Sequence, residues 1–362
     1  NNFINCLIQD HTGFIWFGTD DGLNRFDGYE VKVYRNNPAD RFSISENIIW
    51  AMAEDHAGNL WIGTKTGGLN KYNPETDKFE NWTIDSNDAE EISITCLYVD
   101  SKNLIWIGTY KNGVYRFNPS ENKFEHWQNI PGNPKSLSEN YITSIIEDKK
   151  FNIWIATYKG LNKFIPDQPD NPFKRFTDHI NTSVWHLTES DFYDNTIWIG
   201  TLNGLIKFNT EDEIFLQIPL PQNFDLQYGY SVSAIVEGAA YGEKILWVGT
   251  YGGIIRINLT NDYSERITYN NEGKRELLSN QIHDLLIDRS GVIWIATDNA
   301  VNFYCPKRSK FNNLISAEHF LKIVSQLSEN NIRAIAQTKD KSIWFGTDVG
   351  LIGVQTSNSK SS

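Results

Sequence analysis

Short runs in which apolar and polar residues alternate, each ended by turn residues, fill the chain from end to end. Residues 48–54 alternate as a half-buried strand does, and Asp55-His56-Ala57-Gly58 then makes a tight turn in which Gly supplies a positive φ. Residues 59–64 form a second strand, Lys65-Thr66-Gly67-Gly68 a second turn, and residues 69–72 a third strand. Asn73-Pro74-Glu75-Thr76 turns the chain again before a fourth strand at residues 78–82. The same series of signals recurs eight times, aligned on Trp16, Trp61, Trp106, Trp154, Trp198, Trp247, Trp294 and Trp344, at spacings of 45, 45, 48, 44, 49, 47 and 50. That period belongs to propeller blades and is too long for leucine-rich or ankyrin units. Helical repeats of similar period exist, but Trp-Ile-Gly-Thr cores and many Gly turns are poor helix material.

The chain is therefore expected to be all-β, a β-propeller of four-stranded antiparallel blades, with the repeated Trp packed between neighbouring blades. Seven blades plus an eighth repeat are favoured over an eight-bladed ring, because residues 355–362 are polar and Ser-rich and offer no fourth strand. The expected division is a seven-repeat propeller over residues 1–327, with residues 328–362 as a closing blade or the start of a second propeller.

Antiparallel order sorts the connections onto two faces. The first turns are short and uniform, as in Asp10-His11-Thr12-Gly13, Asp55-His56-Ala57-Gly58 and Asp288-Arg289-Ser290-Gly291. Connections between repeats, such as residues 128–141, 219–231 and 270–282, are long and individual, so a binding surface is expected on their face. One column at the start of the first strand reads Asn5, Trp50, Thr95, Thr143, Trp185, Ser233, His283 and Arg333, beside an apolar column running from Ile4 to Ile332. Such a column is expected at the channel mouth, where Trp50 and Trp185 offer platforms for a sugar face. The competing reading is a solvated strand entry in which the Trp residues are incidental. The residue after each motif Thr reads Asp20, Lys65, Tyr110, Tyr158, Leu202, Tyr251, Asp298 and Asp348, which places Tyr110, Tyr158 and Tyr251 on a rim of the same face. Asp20, Asp21, Lys65, Lys111 and Lys159 read as solvated charge, while Tyr228, Tyr230 and Trp127 are weaker loop or loop-edge candidates.

Charge narrows the partners. The net charge is −12, from 45 acidic and 33 basic residues, which disfavours duplex nucleic acid and anionic membrane surfaces. No apolar run reaches the roughly 18 residues of a membrane span, so no membrane insertion is expected of this segment. Cys6, Cys96 and Cys305 lack metal-type spacing and read as free thiols in the interior. Seven His residues occur without a metalloprotease, P-loop or nucleophile-elbow motif, so no metal, cofactor or catalytic residue is assigned. His283-Asp284 is the one pair near the channel worth testing as an acid–base constellation, and a carboxylate pair suited to glycoside hydrolysis is a matter of three dimensions alone. The chain opens inside a repeat without a Met, so its start is expected to lie upstream.

Taken together, these repeats resemble the two-component regulator propeller repeat. The resemblance is strongest in Ile8-Gln9-Asp10-His11-Thr12-Gly13-Phe14-Ile15-Trp16-Phe17-Gly18-Thr19-Asp20-Asp21-Gly22-Leu23-Asn24-Arg25-Phe26-Asp27-Gly28-Tyr29 and in Glu54-Asp55-His56-Ala57-Gly58-Asn59-Leu60-Trp61-Ile62-Gly63-Thr64. It implies the extracytoplasmic sensor region of a hybrid two-component system, periplasmic or extracellular, with a small-molecule or oligosaccharide ligand and no enzymatic activity in this segment. The ligand-binding residues would be Trp50, Trp185, Tyr110, Tyr158, Tyr251 and His283, and neighbouring sensor domains would support a homodimer. In such sensors two seven-bladed propellers precede a β-sandwich, a membrane helix and a histidine kinase; related propellers front diguanylate cyclases. This chain shows none of those later parts, carries eight copies, and loses the Gly turn in copies five (Asp191-Phe192-Tyr193-Asp194-Asn195) and six (Gly238-Ala239-Ala240-Tyr241-Gly242-Glu243). Copies four and seven carry Ala156 and Ala296 in place of Gly. A carbohydrate lyase or hydrolase and a protein-interaction or dimerisation scaffold are the alternatives on the same fold.

Overall fold

The structure is a computed structural model that describes residues 3–84, 92–166, 168, 172–221, 230–240, 242–268, 277, 279–298 and 300–304, and the backbone of 332–337, 343–347 and 350–354. It divides into two compact units, Asn1–Tyr304 and Cys305–Ser362.

The first unit is a seven-bladed propeller. Blade one runs Ile4–Gln9, Ile15–Thr19, Gly22–Phe26 and Val31–Tyr34, each strand antiparallel to the last. Five more four-stranded sheets follow, and the seventh has three described strands, Ile282–Ile287, Ile293–Thr297 and Val301–Tyr304. The innermost strands of blades two to six are Ile49–Glu54, Ile94–Val99, Ile142–Glu147, Val184–Glu189 and Val232–Ala240. Each innermost strand packs on the next, and Ile282–Ile287 packs on Ile4–Gln9. The ring is therefore closed by the first and seventh repeats.

Burial explains why these segments hold together. Second strands such as Leu60–Thr64 and Ile105–Thr109 are buried throughout, whereas the outermost strands Val31–Tyr34 and Ile214–Ile218 are largely exposed. An apolar cluster fills every junction between blades. Trp16, Leu23, Ile49 and Ile62 join blades one and two, and Ile4, Leu7 and Ala296 join blades seven and one. Trp16, Trp61, Trp106, Trp154 and Trp198 are at most 2% exposed, as expected of packing residues.

Each buried indole also needs a partner for its N–H. Asp at the start of the first turn supplies it: Asp10 to Trp16 at 2.7 Å, Asp55 to Trp61 at 2.9 Å, and Asp100 to Trp106, Asp148 to Trp154 and Asp288 to Trp294 at 2.8 Å. The second oxygen of the same carboxylate accepts turn N–H groups, so one residue shapes the turn and satisfies the core. Copy five has Ser190 at this position. Glu237 of blade six compensates, accepting from Trp198 Nε1 at 2.5 Å and Ser190 Oγ at 2.6 Å. Copy six instead extends its hairpin to Val232–Ala240 and Glu243–Thr250. The drift in these copies is thus absorbed by neighbouring strands.

One irregularity is constant. In every blade the first two strands slip by one residue, as between Ile4 and Cys6, Ile49 and Ala51, Val184 and His186, and Ile282 and Asp284. The bulged residues are Asn5, Trp50, Thr95, Thr143, Trp185, Ser233 and His283. A bulge leaves a residue out of the ladder and re-aims its side chain. Four of the seven use that freedom to reach the next blade. Asn5 Nδ2 donates to Ile49 O at 2.9 Å, Thr95 Oγ1 to Ile142 O and Thr143 Oγ1 to Val184 O at 2.6 Å, and Ser233 Oγ to Ile282 O at 2.5 Å. These straps tie successive innermost strands together. Thr143→Val keeps the shape and removes the donor, so it is expected to lower stability by about 1 kcal/mol, read from the urea midpoint.

The second unit contains one described sheet, Ile332–Gln337, Ile343–Thr347 and Gly350–Val354, antiparallel and with the same slip between Ile332 and Ala334. The expected boundary at residue 328, the terminal stretch 355–362, Asp348, Tyr228 and Cys305 lie outside the described residues, as do the side chain of Arg333 and parts of the loops at 219–231 and 270–282.

Candidate functional site

The turns between second and third strands meet the incoming first strands at the channel mouth. In blades one to five the residue after the motif Thr donates its N–H to the residue just before the apolar column: Asp20 to Phe3 O at 3.3 Å, and Lys65 to Ile48 O, Tyr110 to Ser93 O, Tyr158 to Tyr141 O and Leu202 to Ser183 O at 3.0 Å. These bonds hold the rim residues beside the bulged column and fix which side chains can meet.

An aromatic arc results. Tyr141 lies 4.7 Å from Tyr110 edge-on and 5.6 Å from Tyr158 in a stack, measured between ring centroids. Trp185 stands edge-on to both, 6.2 Å from Tyr141 and 5.7 Å from Tyr158. Tyr110 and Tyr158 remain 44% and 51% exposed. Burial pushes the Tyr141 hydroxyl up to about 12, helped by Tyr110 and Tyr251. Further round the rim, His283 packs 4.3 Å from Phe3 and 6.0 Å from Tyr251. Burial lowers its pKa, and the carboxylates of Asp298 and Asp20 act in the other direction. Trp50 lies apart from the arc with Lys65 Nζ 5.7 Å from its ring. Asn5 Nδ2 holds Asp20 at 3.0 Å.

The rim also gathers unsatisfied polar atoms. Among the described residues, Trp185 Nε1, Ser231 Oγ, His283 Nε2 and Asp298 Oδ1 are buried without a hydrogen-bond partner. Buried polar groups are rarely left so, and these four belong to blades five, six and seven.

The structure thus joins Tyr110, Tyr158 and Trp185 through Tyr141, sets Tyr251 beside His283, and places Trp50, Trp185 and His283 on one bulged column. Tyr141 and Phe3 were missed in the sequence reading. The signal was one column earlier, in the series Phe3, Ile48, Ser93, Tyr141, Ser183, Ser231 and Gln281, which sequence alone does not distinguish from strand entry.

Other expectations change. Trp127 is the last residue of the outer strand Lys123–Trp127 and stacks on Trp106 at 5.8 Å, so it is a packing residue rather than a loop-edge one. Asp284 does not pair with His283. Its carboxylate accepts from Leu7 N at 2.7 Å and Leu285 N at 2.8 Å. His11 bonds Glu54 at 2.6 Å on the uniform turns. Cys6 and Cys96 are free, and burial pushes both thiols up, that of Cys96 to about 12, which leaves them unreactive at neutral pH. Among the described residues no group of three or more His, Cys, Asp or Glu could hold a metal ion.

The two component regulator propeller family matches residues 1–21, 43–66, 90–111, 136–159, 276–299 and 326–349. The first five segments each run from the approach to an innermost strand as far as the rim residue. Histidine kinase P4 of Formosa agariphila is 59% identical over 39 residues, which is 11% of this chain and 3% of that protein. Among solved structures, the extracellular domain of a putative hybrid two component system from B. thetaiotaomicron superposes with a TM-score of 0.69 at 21% identity. That likeness covers 98% of this chain but 44% of the other, so the chain spans less than half the length of that neighbour. Virginiamycin B lyase from Staphylococcus aureus is similar at a TM-score of 0.53 and 14% identity, over 84% of this chain and 93% of that one. At such identities the structural likenesses speak to the propeller fold alone. With six of its repeats matched in sequence and its ring closed in space, the chain carries repeats of the two component regulator propeller family.

Proposed function

We propose that this chain is the ligand-sensing propeller of an extracytoplasmic region of a hybrid two-component regulator, and that its ligand is a glycan or oligosaccharide bound at the channel mouth. The observation that carries this reading is the meeting of an open aromatic arc with unpartnered buried donors and acceptors on one rim. Sugar rings present apolar C–H faces that stack on aromatic side chains and hydroxyls that satisfy both donors and acceptors. Binding would act by favouring one arrangement of the propeller relative to its signalling partner, which requires different affinity for the two arrangements. The neighbour described as an extracellular domain and the match to a histidine kinase support the setting. Among the described residues no helix is long and apolar enough to cross a membrane. In the same reading the eighth repeat begins a second propeller, and any kinase activity resides outside this chain.

The test is titration calorimetry against a panel of neutral and charged oligosaccharides, with product analysis of each mixture. Binding without turnover is expected. Trp185→Ala is expected to weaken it by about 10–100-fold, the loss of one stacked ring and its N–H. Product formation would favour a carbohydrate lyase or hydrolase, and silence across the panel would sink the glycan reading.

A further inference from the structure

The seven bulged residues divide into two groups. Asn5, Thr95, Thr143 and Ser233, in blades one, three, four and six, strap each blade to the next. Trp50, Trp185 and His283, in blades two, five and seven, occupy the same backbone position. Among the described residues none of the three donates to the equivalent carbonyls, those of Ile94, Val232 and Ile4. We propose that these three positions form one axial, three-point site for a compact polyhydroxylated ligand, a short saccharide or the end of a chain. In this proposal, which rests on the sensing reading above, the ring forgoes a strap at each position in order to hold the ligand.

Three observations carry it. First, the strap is the ring's ordinary solution at this bulge, so its loss is a local rule broken, and such breaks belong to functional positions. Second, the residues that replace it are large and face the mouth with unspent capacity. Trp185 Nε1 and His283 Nε2 are buried without partners, and Trp50 offers a ring flanked by the Lys65 ammonium. A Thr or Ser at those places would have spent its hydroxyl on the next blade. Third, the placement round the ring is nearly even: from blade two to five, five to seven and seven to two the steps are three, two and two blades. A ligand lying along a single junction meets only one of these residues. A ligand that meets all three sits on the propeller axis, and the interior of a long polymer crossing the mouth would leave one of the three uncovered.

The strap half is tested without ligand. Trp50→Thr and Trp185→Thr are compared with Trp50→Val and Trp185→Val, pairs that lose the same indole and differ by one hydroxyl. Each Thr variant is expected to melt about 1–2 °C above its Val partner, as wild type should above Thr143→Val. Equal melting within a pair, with Thr143→Val lowered, overturns the exemption. The ligand half uses a series from mono- to hexasaccharide together with the intact polymer, for each sugar that the wild-type protein binds. Affinity is expected to reach a plateau at two or three units, and Trp50→Thr, Trp185→Thr and His283→Thr are each expected to lose at least about tenfold. Affinity that climbs steadily with chain length, or a loss confined to one of the three variants, overturns the axial site. A panel in which nothing binds overturns the sensing reading and the ligand half with it, while the melting comparison decides the strap half by itself.

Discussion

Replacing Asp100 with alanine is expected to destabilise the propeller by about 3–5 kcal/mol, read as a lowered denaturant midpoint at unchanged slope. The carboxylate is 4% exposed and has three donors: Trp106 Nε1 at 2.8 Å, Lys102 N at 3.0 Å and Leu104 N at 2.9 Å. Alanine leaves an indole N–H stranded in the core, where each unmet polar group costs about 1–3 kcal/mol, and it loosens the turn as well. Asp100→Asn keeps one acceptor and turns an amide toward one of the N–H groups, so an intermediate loss is expected. Asp191 provides the contrast, since it lies in the drifted turn of blade five with its side chain 84% exposed. Asp191→Ala is expected to stay within about 0.5 kcal/mol of wild type. A similar loss at both positions would show that the indole–carboxylate bond is not what holds a blade's turn to its core.

The second large effect is a pH dependence at the ring closure. Asp284 is enclosed between the innermost strands of blades seven and one, and burial pushes its carboxyl up to about 7 against two backbone N–H bonds that lower it. Among the described residues the Cys6 thiol is coupled to it, itself pushed up by burial and by that carboxyl and therefore neutral at these pH values. An acid whose pKa is raised on folding imposes no penalty below its unfolded value near 4. The penalty grows as pH rises from there to about 7 and is constant above it. It amounts to roughly 2–4 kcal/mol at full extent. Wild type is thus expected to lose stability between pH 5 and pH 8. Asp284→Asn, whatever its absolute stability, is expected to lose much less over the same interval. Parallel curves for the two proteins would exclude Asp284 as the source.

Much of the architecture was legible because each blade is written in local signals. Alternation, Gly turns and the Trp motif all act within a few residues, and the fourth strand expected at 78–82 is the observed Lys78–Trp82. The other strand ends moved by a single residue, for example to Ile49–Glu54 and Leu69–Asn73. The Asp-to-Trp bond was visible as an offset of six positions in five copies, yet nothing in the sequence named it as a bond. The bulge was hidden because a one-residue slip is a property of two paired strands. The straps were hidden because they join residues 41 to 49 positions apart. Tyr141 was missed for the same reason: its partners Tyr110 and Tyr158 come from two blades, and only the rim's backbone bonds bring the three rings together.

By itself the sequence determined that the chain is all-β, that its unit is a four-stranded blade, and which face carries variable loops. These follow from side-chain period and turn chemistry, which are written residue by residue. Closure at seven was decided only in the tertiary structure. The seventh and eighth repeats show the same alternation and the same Trp motif, so either could have met the first. What selects the seventh is radial packing. Ile4 and Leu7 pack beside Ala296, Leu7 N meets Asp284, and Arg289 reaches the carbonyls of Asp10 and His11 at 2.7 and 2.8 Å. Those contacts span some 280 positions of sequence, a distance at which periodicity says nothing about which copies will touch.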